Sequence, residues 1–167
     1  MTVRVAVART ATTDRRAAAR ALLRDLVGAD CVIASERSGR PYLPQWPRIG
    51  VSLSYSDTLV AVAVGPGRVV GVDVEETVEF DPGMARRCGA PELVTMPPDR
   101  RARELTRIWT VQEACVKAAG LGLRGSPWTV PVGRALHGSW RGLRWISRPG
   151  REFTVSCAFG PMEGEET

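Results

Sequence analysis

Lys117 is the only lysine in the chain, and the other 22 of its 23 basic residues are arginine. It follows Glu113 by four residues, so both side chains project from one face of any helix that contains them. Arginine cannot give up its proton and presents a wide planar fork, whereas lysine offers a compact ammonium that serves as a point charge or an acid. A solvated Glu–Lys pair at this spacing contributes only about 0.3 to 0.5 kcal/mol. The neighbours Trp109, Cys115 and Val116 are apolar, however, which sets the pair at the margin of a core, where a charge must be used or satisfied.

A second set of charges lies in "VVGVDVEE". A period of two puts Val70, Val72 and Val74 on one face and Gly71, Asp73 and Glu75 on the other. Side chains two apart on a strand are separated by about 6.5 to 7 Å at the backbone, close enough for two carboxylates to lean onto one cation. Magnesium is held by one or two carboxylates with phosphate oxygens and water, so the pair implies a phosphorylated substrate. An exposed acidic strand face accounts for the same two residues. Gly71 leaves room for a ligand to approach the backbone. If Glu113 faces Asp73 and Glu75, a third carboxylate joins them, and Lys117 neutralises a phosphate held by the metal. Charge neutralisation, a positioned base and a cation at the leaving group are what phosphoryl-type transfer requires.

Several elements must position these residues. "TVRVAVA" alternates as a strand, and "TTDRRAAARALLRDLVG" reads as a helix of about 13 residues, opened by a Thr or Asp cap and closed at Gly28. Arg16, Arg20 and Arg24 share one face of it, the pattern of a solvated surface. "SGRPYLPQWPRIG" is an ordered loop. "VSLSYSDTLVAVAVGPG" reads as one strand ending in a Gly-Pro-Gly turn and "RVVGVDVEE" as the next, so residues 49–76 are expected to form a β-hairpin. Short helical pieces and loops follow. A long helix then runs from residue 98 or 99 to 119 and stops at Gly120. Strands are expected at 128–132, 143–147 and 152–159, and the end, "MEGEET", is expected to fray. The order gives an α+β fold.

Composition bounds the function. Hydrophobic residues make up 44% and charged residues 25%, as in a soluble globular domain with a real core. The net charge of +5 favours an anionic partner: a nucleic acid, a phosphorylated small molecule or an acidic protein surface. No recognition-helix or stacking motif supports nucleic acid. The four cysteines form no CxxC pair and His137 is the single histidine, so buried free thiols are expected rather than a zinc site. No apolar run approaches the roughly 20 residues that span a bilayer, and the first residues lack a signal-type apolar core, so a reducing cytoplasm is expected.

Four segments, "GRPYL" (39–43), "VSLSYSD" (51–57), "VVGVDVEE" (69–76) and "IWTVQEACVKAAGLGL" (108–123), stand in one order and spacing, and with them the chain resembles the surfactin-type 4'-phosphopantetheinyl transferases. The resemblance implies a holo-[acyl-carrier-protein] synthase type of enzyme that moves the phosphopantetheine arm of coenzyme A to a carrier-protein serine and releases 3',5'-ADP. By position, Asp73, Glu75 and Glu113 would hold Mg2+, with Glu113 also helping to deprotonate the serine. Lys117 would bind the α-phosphate and assist the leaving group. Arg40 and Ser54 would hold coenzyme A phosphates, Ser54 near the 3'-phosphate, and Pro41 would shape the adenine pocket.

Tyr55 stands where the family usually has a histidine, and Gln112 where it has a lysine that helps to hold coenzyme A. Arg16 and Arg20 are candidates to compensate for the lost cations. The implied fold is a pseudo-dimer of two similar α+β halves with a shortened first half. Residues 1–67 would contact coenzyme A, 68–160 would carry the magnesium site and catalytic helix, and 161–167 would form a flexible tail. Two halves in one chain already complete a cleft, so a monomer is expected, with polyketide, nonribosomal peptide or fatty-acid carrier proteins as partners. The other reading is a transferase-like protein that binds a carrier protein or a coenzyme A derivative without transfer.

Overall fold

A computed structural model describes residues 2–28, 30–122 and 125–162. Strand β1 (Arg4–Arg9) leads into helix α1 (Arg15–Val27). Asp14 caps α1 by accepting from Ala17 N, and Gly28 closes it at φ 81°, the left-handed conformation for which glycine is favoured. Short strands β2 (Ala34–Ser35) and β3 (Pro41–Tyr42) pair across the loop that follows. Then come β4 (Ile49–Tyr55), β5 (Leu59–Pro66) and β6 (Arg68–Glu76). Helix α2 (Pro82–Arg87) and a 3-10 turn (Pro91–Thr95) precede the long helix α3 (Pro98–Ala118). A 3-10 turn at Pro127–Thr129 leads to β7 (His137–Trp140), β8 (Leu143–Pro149) and β9 (Phe153–Pro161).

Two antiparallel sheets organise these strands, in the orders β1-β5-β4 and β6-β9-β8-β7. Leu23 of α1 packs with Val51, Val62 and Val64 on the first sheet. Val111, Ala114, Cys115 and Ala118 of α3 pack with Trp145 and Ala158 on the second. Between the sheets, Leu59, Ala61 and Ala63 meet Val70, Val72, Val74 and Cys157. The order through the molecule is therefore helix, sheet, sheet, helix, an α+β arrangement as expected. Gly71 and Asp73 face α3, and the three valines face the other sheet, as the period of two requires.

Three expectations change. The run from 49 to 66 is two strands, not one: it turns at 56–58, and the hairpin is β4–β5. β6 leaves that sheet and pairs with β9, with Asp73 opposite Ser156 and Glu75 opposite Thr154. In place of a strand at 128–132 there is a 3-10 turn over Pro127–Thr129 followed by irregular chain, and β7 forms instead at 137–140. Pro161 completes β9, so the expected tail lies outside the described residues from 163 onward.

The termini of α1 and α3 fall where capping chemistry places them, and all four cysteines are free and buried. Among the described residues no helix is long and apolar enough to cross a membrane.

From Leu105 onward the long helix is buried on nearly every side. Arg107 lies fully within the structure, paired with Glu104 at 2.6 Å, and donates to the carbonyls of Gly133 and Ala135 at 2.5 and 3.0 Å. A buried guanidinium needs such partners, and it ties the 133–135 loop to α3. About two turns further along, Gly71 permits α3 to approach β6. A β-carbon there would run into the Ala114 carbonyl and the Ala118 nitrogen. The space at Gly71 is filled by the helix backbone, not kept for a ligand.

Candidate active site

Asp73 lies where β4, the free edge of β6 and helix α3 meet, with its side chain only 5% exposed. Its Oδ1 accepts from Lys117 Nζ at 2.6 Å and from Ser54 Oγ at 2.8 Å. Its Oδ2 is buried and has no hydrogen-bond partner among the described residues. Lys117 completes its three donors with Ser54 Oγ and the Val72 carbonyl, each at 3.2 Å. The lone lysine thus reaches from α3 across the edge of β6, and its ammonium converges on a single point.

Glu75 and Glu113 lie in the electrostatic field of this pair. Burial raises the Glu75 carboxyl to about 7, Asp73 adds to the rise, Lys117 opposes it, and Glu76 and Glu113 contribute further. Glu113 is likewise raised, first by burial and then by Asp73, against the pull of Lys117. Three carboxylates therefore compete for the compensation that one ammonium supplies.

Among the described residues no group of three His, Cys, Asp or Glu side chains converges as a preformed metal cage. The donor chemistry nevertheless suits a hard divalent cation. The donors are carboxylate oxygens, one of them is buried and without a hydrogen-bond partner among the described residues, and two further carboxyls, raised first by burial and then by Asp73, stand nearby.

Arg40 and Pro41 line one cleft with Glu113, Lys117 and Gly120. The Arg40 guanidinium lies against Gly120 at the C-terminal end of α3, where a cation complements the free carbonyls. Tyr55, half exposed, points to the other side of β4 and borders a separate depression with Arg15, Asp57, Glu75 and Glu76. Asp73 and Ser54 line neither, while Lys117 and Glu113 border the first and Glu75 the second. Arg16 is exposed and Arg20 partly buried, and neither borders either depression.

Ser54 is 5% exposed, and its hydroxyl is engaged by Asp73, Lys117 and Val74 N. Gln112 is fully buried, donating from Nε2 to the carbonyls of Cys88 and Val130 at 3.0 and 3.1 Å. Successive helical residues point about 100° apart, so Gln112 faces away from the cleft that Glu113 borders. It fastens loops to α3 and occupies no substrate-holding position. Burial pushes the Cys115 and Cys157 thiols up to about 12, Cys157 adding to the effect at Cys115, which leaves neither as a nucleophile.

Sequence reasoning missed the part played by the alternating serines of "VSLSYS". Ser52 Oγ accepts from Val72 N at 3.0 Å and Ser54 Oγ from Val74 N at 3.3 Å, so hydroxyls satisfy the outer edge of β6. The legible signal was polar residues alternating with Val and Leu in a strand whose other face is apolar.

A profile described as the 4'-phosphopantetheinyl transferase superfamily matches residues 69–157. That span includes Asp73, Glu75, Glu113 and Lys117, and leaves Arg40, Pro41, Ser54 and Tyr55 outside it. A 4'-phosphopantetheinyl transferase of Bacillus subtilis is 28% identical over 113 residues, covering 65% of this chain and 49% of the relative. The 4'-phosphopantetheinyl transferase psf-1 of Bacillus pumilus is 29% identical over 96 residues, covering 55% and 41%. The chain thus spans about half the length, or less, of these two curated relatives.

Proposed function

Because the chain belongs to the 4'-phosphopantetheinyl transferase superfamily, we propose that it transfers the 4'-phosphopantetheine arm of coenzyme A to a serine of an acyl or peptidyl carrier protein. Asp73, Glu75 and Glu113 are the residues to hold Mg2+, which when bound neutralises charge on the pyrophosphate oxygens. The serine oxygen forms a bond to the phosphorus that carries the pantetheine arm, and the bond from that phosphorus to the 3',5'-ADP oxygen breaks. Glu113 takes the serine proton, a role that suits a carboxyl already raised by burial. Lys117 balances the charge that develops on the departing ADP phosphate. Arg40 and Pro41 border the cleft into which the nucleotide would enter.

The observation that carries this reading is the frustrated charge at Asp73. One oxygen is held by Lys117 and Ser54, the other is buried without a hydrogen-bond partner among the described residues, and Glu75 and Glu113 stand in the same field. The reading extends to a monomer whose two sheets, each with its helix, act as the halves of a pseudo-dimer, and to a cytoplasmic location.

The test is intact mass spectrometry of an apo carrier protein incubated with coenzyme A, Mg2+ and this protein. The expected result is a phosphopantetheine mass gain that vanishes with EDTA. Binding without any gain across several carrier proteins would favour the second reading, an accessory binder. Tyr55, in place of the expected histidine, is the observation in its favour, since a phenol adds no positive charge near neutral pH. Gln112 no longer supports it.

A further inference from the structure

We propose that the open groove between β1 and β8 takes up an extended acidic segment of another protein, which adds to β1 as a further strand and sets alternate carboxylates against Arg144 and Arg148. The groove shares no residue with the clefts around the candidate site, and the proposal stands apart from the transfer reading.

Unequal sheets create the opening. The first has three strands and the second four. Ala61 and Ala63 of β5 cover Val72 and Cys157, and Val3 and Val7 of β1 join the same cluster. No strand of the first sheet lies beyond β1, so the outer face of β8 is left uncovered and Ile146 is 45% exposed. A groove of about 310 Å³ results, with Val3, Val5 and Val7 on one wall and Ile146, Val155 and Phe159 on the other.

β1 has the backbone that a guest strand needs. It pairs with β5 on one side only, and among the described residues no hydrogen bond joins it to β8. At the opposite margin of the sandwich the short hydroxyls of Ser52 and Ser54 close the seam between β4 and β6. Ile146 and Arg148, which border the groove here, supply no such bond. Main-chain pairing with an exposed edge gives affinity, and alternate side chains give specificity.

The charges define those side chains. Arg144, Ile146 and Arg148 stand opposite Phe159, Cys157 and Val155 of β9, so all three share the face that borders the groove. Among the described residues neither guanidinium has an ion pair or a hydrogen bond. Ser139 and His137 extend that face on β7 without a carboxylate, and Glu152, in the turn between β8 and β9, is already paired with Arg9. Every second residue of a strand advances by about 6.5 to 7 Å, so a guest matches β8 by presenting acidic, apolar and acidic residues at alternate positions.

A second copy of this chain is a poor occupant. Pairing β1 with β1 would bring the partner's β8 and β7, which project past its own β1, into the space held by the same strands of the first copy, and would set arginines against arginines. The described chain itself ends at the other margin, where Met162 donates to the Gly67 carbonyl and lies by Gly50 of β4. A single acidic strand meets neither obstacle, and the net charge of +5 favours it.

The probe is a fluorescent peptide of about eight residues with the core Glu-Thr-Val-Thr-Glu, titrated against the wild-type protein by anisotropy at low salt. It should bind, and a peptide of the same composition with the alternation scrambled should not. N-methylation of alternate residues along one edge of the peptide should abolish binding, and along the other edge it should be tolerated, a comparison that needs no protein variant. Arg144→Glu combined with Arg148→Glu should weaken binding by about tenfold or more at an unchanged melting temperature. The peptide with Lys in place of Glu should then prefer this variant to wild type.

No binding to wild type overturns the proposal. Equal binding of the scrambled peptide, or of both methylated peptides, overturns strand addition. Affinity that survives the double reversal puts the peptide elsewhere, and a dimer in sedimentation that the peptide dissociates makes a second copy the occupant; both also overturn it. None of these outcomes touches the transfer reading.

Discussion

Gly71 lies directly beneath Ala114, with the backbone of α3 so close to β6 that a β-carbon on Gly71 would collide with the Ala114 carbonyl. This approach lets Lys117, one turn further along the helix, reach across β6 to Asp73 and Ser54.

Gly71→Ala should therefore act on stability and site together. The obstruction is α3 backbone, the Ala114 carbonyl and the Ala118 nitrogen, so no side-chain rotation relieves it. Overpacking of this kind is worth about 1 to 3 kcal/mol or more, measured by urea unfolding. The variant should also lose Mg2+-dependent transfer out of proportion to its unfolded fraction. A variant as stable and active as wild type would show that α3 is not held at this distance.

Lys117→Arg tests whether a point charge is required. The ammonium has three acceptors, Asp73 Oδ1, Ser54 Oγ and the Val72 carbonyl, grouped around one nitrogen. A planar guanidinium cannot converge on them and also face a phosphate. Turnover should fall by about 100-fold or more while the protein stays folded. Activity within a few-fold of wild type would assign the lysine to packing alone.

Glu75 gives a pH dependence with a definite sign. Its carboxyl rises from an ordinary value of 4.5 to about 7 in the folded protein, so between these values the folded state holds a proton that the unfolded chain releases. Stability in EDTA should then fall as pH rises from about 4.5 to 7. Glu75→Gln should flatten that fall in denaturant titrations across the window. An unchanged slope would place the charge conflict elsewhere.

Gln112→Lys would restore the residue expected from the resemblance, yet it should harm the protein. The position is fully enclosed, its amide answers the carbonyls of Cys88 and Val130, and it faces away from the cleft. A buried ammonium without a carboxylate partner should destabilise the fold by roughly 3 to 5 kcal/mol, with no gain in coenzyme A affinity for the folded fraction by calorimetry. Tighter binding would put this residue at the substrate after all.

The contrast between Gln112 and Lys117 shows what the sequence disclosed. Helix ends, set by Asp14, Gly28 and Gly120, depend on local chemistry and were readable to within a residue or two. So was the alternation on β6 that turns Asp73 toward α3. Pairing was not readable: β6 finds its partner some 80 residues away in β9, and the turn at 56–58 carries no glycine or proline to mark it. Helical spacing alone placed Glu113 and Lys117 on one face, but it could not say that the side of α3 holding Gln112 is packed under loops. The partners of Ser54 were not readable either: its hydroxyl meets Asp73, Lys117 and Val74 N only because β4 lies against the edge of β6.

That edge has one more consequence. β6 is nine residues long and ends its sheet, and β4 ends the other. Unanswered N–H and C=O groups on a long outer strand are a template on which a neighbouring chain can add its own strand. Here the Val72 and Val74 N–H groups are answered by Ser52 and Ser54, and the Val72 carbonyl by Lys117. β4 thus covers part of the outer margin of β6, and the other outer strands of these two sheets are the shorter β1, of six residues, and β7, of four. Protection against fibrillar stacking is thus supplied by the hydroxyls and ammonium that gather around Asp73.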